Sequence, residues 1–220
     1  MPQAIVHLLR HGEVFNPTGV LYGRLPEFHL SALGQEMAQT LASHFLAQRE
    51  AGANIVYLGA SPLTRAQETA QPTAEALNLP INTEPRIIEA ENSFEGLKVS
   101  KKELMHPRHW AKFRNPLRPS WGEPYQAQAD RVLAAVGDAR RRALELGGEG
   151  AEAILVSHQL PIWATRLSAE GKRLWHDPRN RECTLTSLTS LVFEDDQIVD
   201  VRYSEPAAAL LPGASSTPGA

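Results

Sequence analysis

Two places in this sequence set a histidine directly after an apolar run: Arg10-His11-Gly12 and Ser157-His158. Five of the six residues from Ala4 to Leu9 are apolar, and Ala153 to Val156 is apolar throughout. Runs of this kind read as short buried strands, which end where polar residues a core would not choose begin. A cation, an imidazole and a permissive glycine at the carboxyl edge of a sheet stand where open α/β folds place their ligands. A third run, Ile55 to Ala60, leads into a helical stretch with Arg65 in its first turn, so that guanidinium can reach back to the same edge. Taken singly, the Arg10-His11-Gly12 triplet is equally well read as a solvated strand end, and an ordinary surface arginine is the commoner reading of Arg65. In a parallel sheet, however, His11, His158, Arg10 and Arg65 converge, and two guanidiniums with two imidazoles suit a phosphate group in both charge and fork geometry.

The elements needed to hold these residues are legible in the pattern. Ser31 can cap a helix in which Leu33, Met37, Leu41 and Phe45 recur every four residues, with Ala38 and Ala42 widening the stripe. Ser61 and Pro62 read as the N-cap and first-turn proline of a helix running to about Leu77. Glu123 or Pro124 opens a long helix with Ala129, Val132, Val136 and Ala143 on one side. Its Arg140 to Arg142 lie towards the last turns, where they favour the helix dipole, and Gly147 and Gly148 end it. Pro161 starts a further helix, and 184–203 forms a terminal hairpin turning at Asp195 and Asp196. The polar stretch 13–29 is a loop beside the site, and Glu89 leaves an extended piece after Ile87 and Ile88. Residues 97–124 carry Lys101, Lys102, Arg108, Lys112, Arg114 and Arg118 with two tryptophans, and they break the α/β rhythm as a cap insertion. The organisation expected is a single domain over 1–204, with a flexible tail over 205–220.

Bulk properties exclude several function classes. In 220 residues, 42% hydrophobic content is ample for a packed core, and a net charge of −3 argues against a general nucleic-acid binder. Cys183 is the only cysteine, so neither an intrachain disulfide nor a cysteine zinc cluster is available, and a reduced compartment fits. No stretch approaches the roughly 20 apolar residues of a membrane span. The expectation is a soluble cytoplasmic protein whose partner is a small phosphorylated metabolite, with no nucleic acid and no membrane.

Four elements in order, LLRHGE at 8 to 13, ASPLTRAQETA at 60 to 70, Glu89 in IIEAENSFEG and LVSHQLPIW at 155 to 163, resemble the histidine phosphatase superfamily. That group includes cofactor-dependent phosphoglycerate mutases and many small-molecule phosphatases. The resemblance implies a three-layer α/β/α sandwich with a mostly parallel central sheet. It also implies His11 as nucleophile, Arg10, Arg65 and His158 as phosphate ligands beside it, Glu89 as proton donor, and Asn16 as a polar neighbour in the pocket. Neither metal nor organic cofactor is implied. Two departures stand out: Gln159 follows His158 where many relatives have glycine, and Phe94-Glu95-Gly96 replaces the common Gly-x-Trp-Glu-Gly ending.

Chemistry adds its own requirements. The attacking nitrogen of His11 must be unprotonated, which adjacent cations favour, and Glu89 must hold a proton, which burial favours and nearby arginines oppose. Hydrolysis of a small phosphate monoester through a phosphohistidine is the function expected. The alternatives are a phosphoglycerate-type mutase and a catalytically weak phospholigand-binding protein. A metallohydrolase built on His7, His11 and His158 ranks lower, because the chain has neither HExxH nor a carboxylate-rich ligand set.

Overall fold

The computed structural model describes residues 3–98, 106–107, 110 and 121–214. Six strands form one sheet: β1 (Gln3–Arg10), β2 (Asn54–Ala60), β3 (Ile81–Thr83), β4 (Ala151–Ser157), β5 (Leu188–Glu194) and β6 (Gln197–Ser204), in the spatial order β3-β2-β4-β1-β5-β6. The first four are parallel, and β5 and β6 add an antiparallel hairpin along the β1 edge. Helices α1 (Ala32–Glu50) and α2 (Thr64–Leu77) cover one face, while α3 (Tyr125–Gly147) and α4 (Gln159–Ala169) cover the other.

Alternation along the strands decides which residues meet which helices. Val6 and Leu8 pack with Val132, Val136 and Ile162. Leu9, Ile154 and Val156 pack with Leu41, Phe45, Ala70 and Leu77. Both faces of the central strands are therefore buried, which is why their sequences are continuous apolar runs. Burial of each large side chain contributes about 1.5 to 3 kcal/mol, so the two layers of contacts hold the strand ends to one geometry.

Register then sets the functional edge. Arg10 pairs with Ser157 across β1 and β4, and Ala60 pairs with Val156 across β2 and β4. The chain thus leaves three adjacent parallel strands at one level, releasing His11, Ser61 and His158 side by side.

Several local expectations need correction. Ser61 does not cap α2; the helix begins at Thr64, with Leu63 at the N-cap and no side-chain cap bond, and the Ser61 hydroxyl is used elsewhere. Helix α4 starts at Gln159, with His158 as its N-cap residue, which puts Pro161 inside the first turn. Arg140 to Arg142 do not serve the last turn of α3: Arg140 pairs with Asp196 of the hairpin turn, Arg141 with Asp138 and Arg142 with Glu145. Residues 205–214, expected as the start of a flexible tail, are structured. Ala207 is buried, and a 3-10 helix over Ala208–Gly213 lies against α1. Two helix ends fall as expected: Ser31 caps α1 by accepting from the Gly34 amide, and Gly148, with a φ of 73°, ends α3 directly after its last residue Gly147. The expected cap over 97–124 falls largely outside the described residues.

Candidate active site

His11 is fully buried one residue past β1. Its Nδ1 lies 2.7 Å from the Gly12 carbonyl oxygen, which can only accept, so Nδ1 carries the hydrogen and Nε2 keeps its lone pair. Arg65 Nε donates towards that Nε2 at 3.3 Å. Burial pushes the His11 pKa well below the ordinary 6.5, and the charges of Arg65 and Arg10 push it the same way. The imidazole is therefore neutral around pH 7, and its one unprotonated nitrogen, Nε2, faces the Arg65 donor.

The glycine after it answers a need for space. A Cβ on Gly12 would stand 2.7 Å from the Gly34 carbonyl oxygen, and one on Gly34 would stand 2.0 Å from the Glu13 carbonyl oxygen. The strand exit and the start of α1 touch backbone to backbone. Thr69 of α2 accepts from the Gly12 amide at 3.0 Å, locking the same turn from the other helix.

Arg65 is 1% exposed and its guanidinium is held from two sides. One nitrogen donates to the Gly23 carbonyl at 2.6 Å, and the group lies 4.7 Å from the centre of the Tyr22 ring. Arg10 donates to the Cys183 carbonyl at 2.7 Å, while its buried Nε has no partner. His158 lies beside His11, their rings 5.2 Å apart, and its Nε2 is hydrogen-bonded to the Ser61 hydroxyl at 2.7 Å. The other nitrogen of His158, Nδ1, is buried and unpartnered, and burial followed by the Arg65 charge holds its pKa well below 6.5.

Glu89 is 3% exposed. Its Oε1 accepts from the Ala90 amide at 2.8 Å and its Oε2 has no partner. Burial raises its pKa, with the Ala90 amide and then Arg65 opposing. Nε of Arg24 donates to the Glu89 carbonyl at 2.6 Å; the same side chain pairs with Glu91 and Glu123, and Glu123 pairs in turn with Arg131. Asn16 makes its bonds inside its own loop, donating to the Val20 carbonyl and accepting from the Val20 amide and the Thr18 hydroxyl.

The structure thus brings together His11, Arg10, Arg65, His158 and Glu89, and uses the polar atoms of Asn16 to shape the neighbouring loop. Three buried polar atoms meet here, Arg10 Nε, His158 Nδ1 and Glu89 Oε2, whose donor or acceptor capacity no described protein group satisfies. Two uncapped helix starts, those of α2 and α4, add amide donors and a positive dipole end at the same edge. Such a set can hold a tetrahedral oxyanion against a neutral imidazole nitrogen, with a proton-bearing carboxyl nearby. His7 is absent from it, being committed to Ser190 and Glu152 within the sheet. Among the described residues no cluster of His, Cys, Asp or Glu is arranged to hold a metal ion.

Comparison with known proteins agrees with this geometry. The sequence profile of the histidine phosphatase superfamily, branch 1, matches residues 6–206. The chain belongs to that superfamily. Among its relatives, the protein Rv0525 of Mycobacterium tuberculosis is 53% identical over 205 residues, covering 92% of this chain and 96% of that one. Phosphoserine phosphatase 1 of Hydrogenobacter thermophilus is 30% identical over 162 residues, covering 71% of this chain and 72% of that one. The solved structure of mycobacterial glucosyl-3-phosphoglycerate phosphatase Rv2419c shares the fold, with a TM-score of 0.69 at 22% identity over 92% of this chain and 96% of that one.

Arg10 is the last residue of β1, with His11 and Gly12 directly after it, and His158 directly follows β4. Sequence reasoning did not find Ser61 as the partner of His158, Tyr22 under Arg65, or Arg24 behind Glu89. All three act across long sequence separations, and the only local hint was that Tyr22 and Arg24 sit in a glycine-bearing loop next to the first motif.

Proposed function

We propose that this protein hydrolyses a small-molecule phosphate monoester through a phosphohistidine intermediate. The observation that carries the reading is the fixed tautomer of His11. With Nδ1–H given to the Gly12 carbonyl, Nε2 is the unprotonated nucleophile, and Arg65, which donates to it, transfers that hydrogen bond to a phosphoryl oxygen when substrate binds.

In the first step Nε2 attacks phosphorus in line, the N–P bond forming as the ester P–O bond breaks. The leaving alkoxide takes the proton of Glu89. In the second step water attacks the phosphohistidine, and the Glu89 carboxylate accepts a proton from it. The N–P bond then breaks, returning the electron pair to Nε2 and releasing phosphate. Arg10 and Arg65 neutralise the equatorial oxygens throughout, while His158, with its hydrogen on Nδ1, donates a hydrogen bond to one of them. Each charge-assisted hydrogen bond to a buried oxyanion contributes about 1.5 to 3 kcal/mol. Relatives named as a phosphoserine phosphatase and a glucosyl-3-phosphoglycerate phosphatase support a small phosphorylated metabolite as the substrate class.

Phosphate release from a panel of alkyl and aryl monoesters, with and without added bisphosphoglycerate, tests the reading. Metal-independent release to water is the expected result. Transfer back to an acceptor substrate in place of release would establish a mutase, and tight phosphate binding without turnover a binding protein.

A further inference from the structure

Ser61 directly follows β2, is fully buried, and caps no helix with its side chain. Its backbone is fixed by two elements. The amide donates to the Val156 carbonyl of β4 at 2.9 Å, and the carbonyl accepts from the Gln67 side chain of α2 at 2.8 Å. The hydroxyl is therefore positioned by the sheet and a helix together. It lies 2.7 Å from Nε2 of His158 and receives a longer bond, at 3.4 Å, from the Leu63 amide.

Counting hydrogens decides the direction of the short bond. A serine hydroxyl has one hydrogen to donate and two lone pairs to accept with. The Leu63 amide can only donate, so it uses a lone pair of Oγ and leaves the hydroxyl hydrogen still to be placed. Among the described residues, the acceptor that Ser61 Oγ meets is His158 Nε2. Were the imidazole hydrogen on Nε2, the Ser61 hydrogen would be buried without an acceptor, and Nδ1 would be a second buried atom with no partner. With Ser61 as the donor, the neutral ring carries its hydrogen on Nδ1, and one unpaired group remains in place of two. That group is an N–H donor on a ring 5.2 Å from the ring of His11, a natural partner for an anion in the pocket. The two histidines are thus set in opposite senses. An acceptor, the Gly12 carbonyl, leaves His11 with a bare Nε2, and a donor, the Ser61 hydroxyl, leaves His158 with a protonated Nδ1.

We infer that Ser61 is a positioning residue for the reaction: its hydroxyl donates to His158 Nε2 and so holds that imidazole in the Nδ1–H form, the form able to donate to a phosphoryl oxygen. This rests on the phosphatase reading of the site and adds to it the group that sets the second histidine. Ser61 acts through His158 and not on the phosphoryl group itself.

Proton–nitrogen NMR correlation of isotope-labelled histidine reads the tautomer directly, with the His158 signals assigned by their absence from His158→Gln. Wild type should carry the His158 hydrogen on Nδ1, and Ser61→Ala should give a mixture of the two forms. Inorganic phosphate, titrated by calorimetry, should bind Ser61→Ala about tenfold more weakly, the scale of one hydrogen bond to an anion, and kcat/KM for an aryl phosphate should fall by a similar factor. Ser61→Thr, which keeps the hydroxyl, should retain the Nδ1–H form and more of the phosphate affinity than Ser61→Ala. A wild type that turns over monoesters with His158 in the Nε2–H form overturns the inference alone, without recourse to any variant. So does a folded Ser61→Ala that keeps the Nδ1–H form or binds phosphate as wild type does, and so do equal losses in folded Ser61→Ala and Ser61→Thr. A wild type in the Nδ1–H form that releases phosphate from no monoester would overturn the phosphatase reading, and with it the part of Ser61 in the reaction.

Discussion

Arginines at the strand-end pocket and most arginines elsewhere are built on opposite rules, Arg49, which donates to the Leu77 carbonyl, being an exception. Arg24, Arg86, Arg131, Arg140 and Arg166 each meet a carboxylate, and most do so at least half exposed on one partner or the other. Arg10 and Arg65 meet carbonyl oxygens and a ring nitrogen, with no described carboxylate within ion-pair distance. A guanidinium bonded to a carbonyl keeps its positive charge uncancelled, whereas one bonded to a carboxylate does not. The fold therefore spends its acidic residues away from the pocket and leaves a field there that a dianion would fill. The single buried carboxyl inside the pocket, Glu89, is pushed by burial towards its neutral form, so it does not quench that field.

The contrast can be broken most severely at Arg65. Arg65→Ala should lower kcat/KM by about 10² to 10³-fold, the range for removing one oxyanion donor. Steady-state kinetics on an aryl phosphate check it, and a loss below about fivefold would mean that this buried charge does not act on the transition state.

Glu89→Gln keeps the shape and removes the proton. It should slow alkyl monoesters by about 10²-fold or more and 4-nitrophenyl phosphate far less, because nitrophenolate leaves without acid assistance. The sign of the pH effect follows from the raised carboxyl pKa: the acid form persists above the usual Glu range and activity falls as pH rises through the shifted value. That alkaline limb in kcat/KM for alkyl substrates should vanish in Glu89→Gln.

A smaller effect should separate two paired arginines. Arg24→Ala releases the Glu89 carbonyl and the Glu91 and Glu123 carboxylates, and should cost about tenfold in kcat for alkyl esters, since a displaced acid is a poor donor. Arg142→Ala breaks an exposed pair with Glu145 and should change stability by about 0.5 kcal/mol or less, with kinetics unaltered. Equal kinetic effects from the two would erase the distinction drawn between a positioning contact and a surface pair.

Folding stability carries the same signature. His11 is held neutral by burial, so the unfolded chain binds its proton at a higher pH than the native protein does. Stability linked to this group therefore rises with pH between its depressed value and about 6.5, and is lost as pH falls through that window. Chemical denaturation of wild type and His11→Gln from pH 7 to pH 5 should show the wild type losing stability more steeply.

Much of this site was legible because strands announce themselves locally. The apolar runs ending at Arg10, Ala60 and Ser157 gave the sheet, and the residues directly after them gave two histidines and, one helical turn on, Arg65. What was missed had no local period to reveal it. Ser61 has the right type and position for a helix cap, yet His158, 97 residues away, takes its hydroxyl. Gly12 reads as conformational freedom, but its requirement comes from the carbonyl of Gly34 on another element. Arg24 lies in an irregular stretch where an arginine is ordinarily solvated, and only the folded chain puts it behind Glu89. The segment 205–214 looked like a tail because small residues carry no periodicity; its order comes from α1, which it covers.

The central claim is that His11 Nε2 takes the phosphoryl group. Rapid acid-free quenching during turnover of a labelled monoester, followed by peptide mapping, tests it directly. The account predicts an acid-labile, base-stable phosphoryl adduct on the peptide bearing His11, formed before phosphate is released and absent in a folded His11→Gln that no longer turns over. An adduct on another residue, or wild-type turnover by His11→Gln, would contradict it.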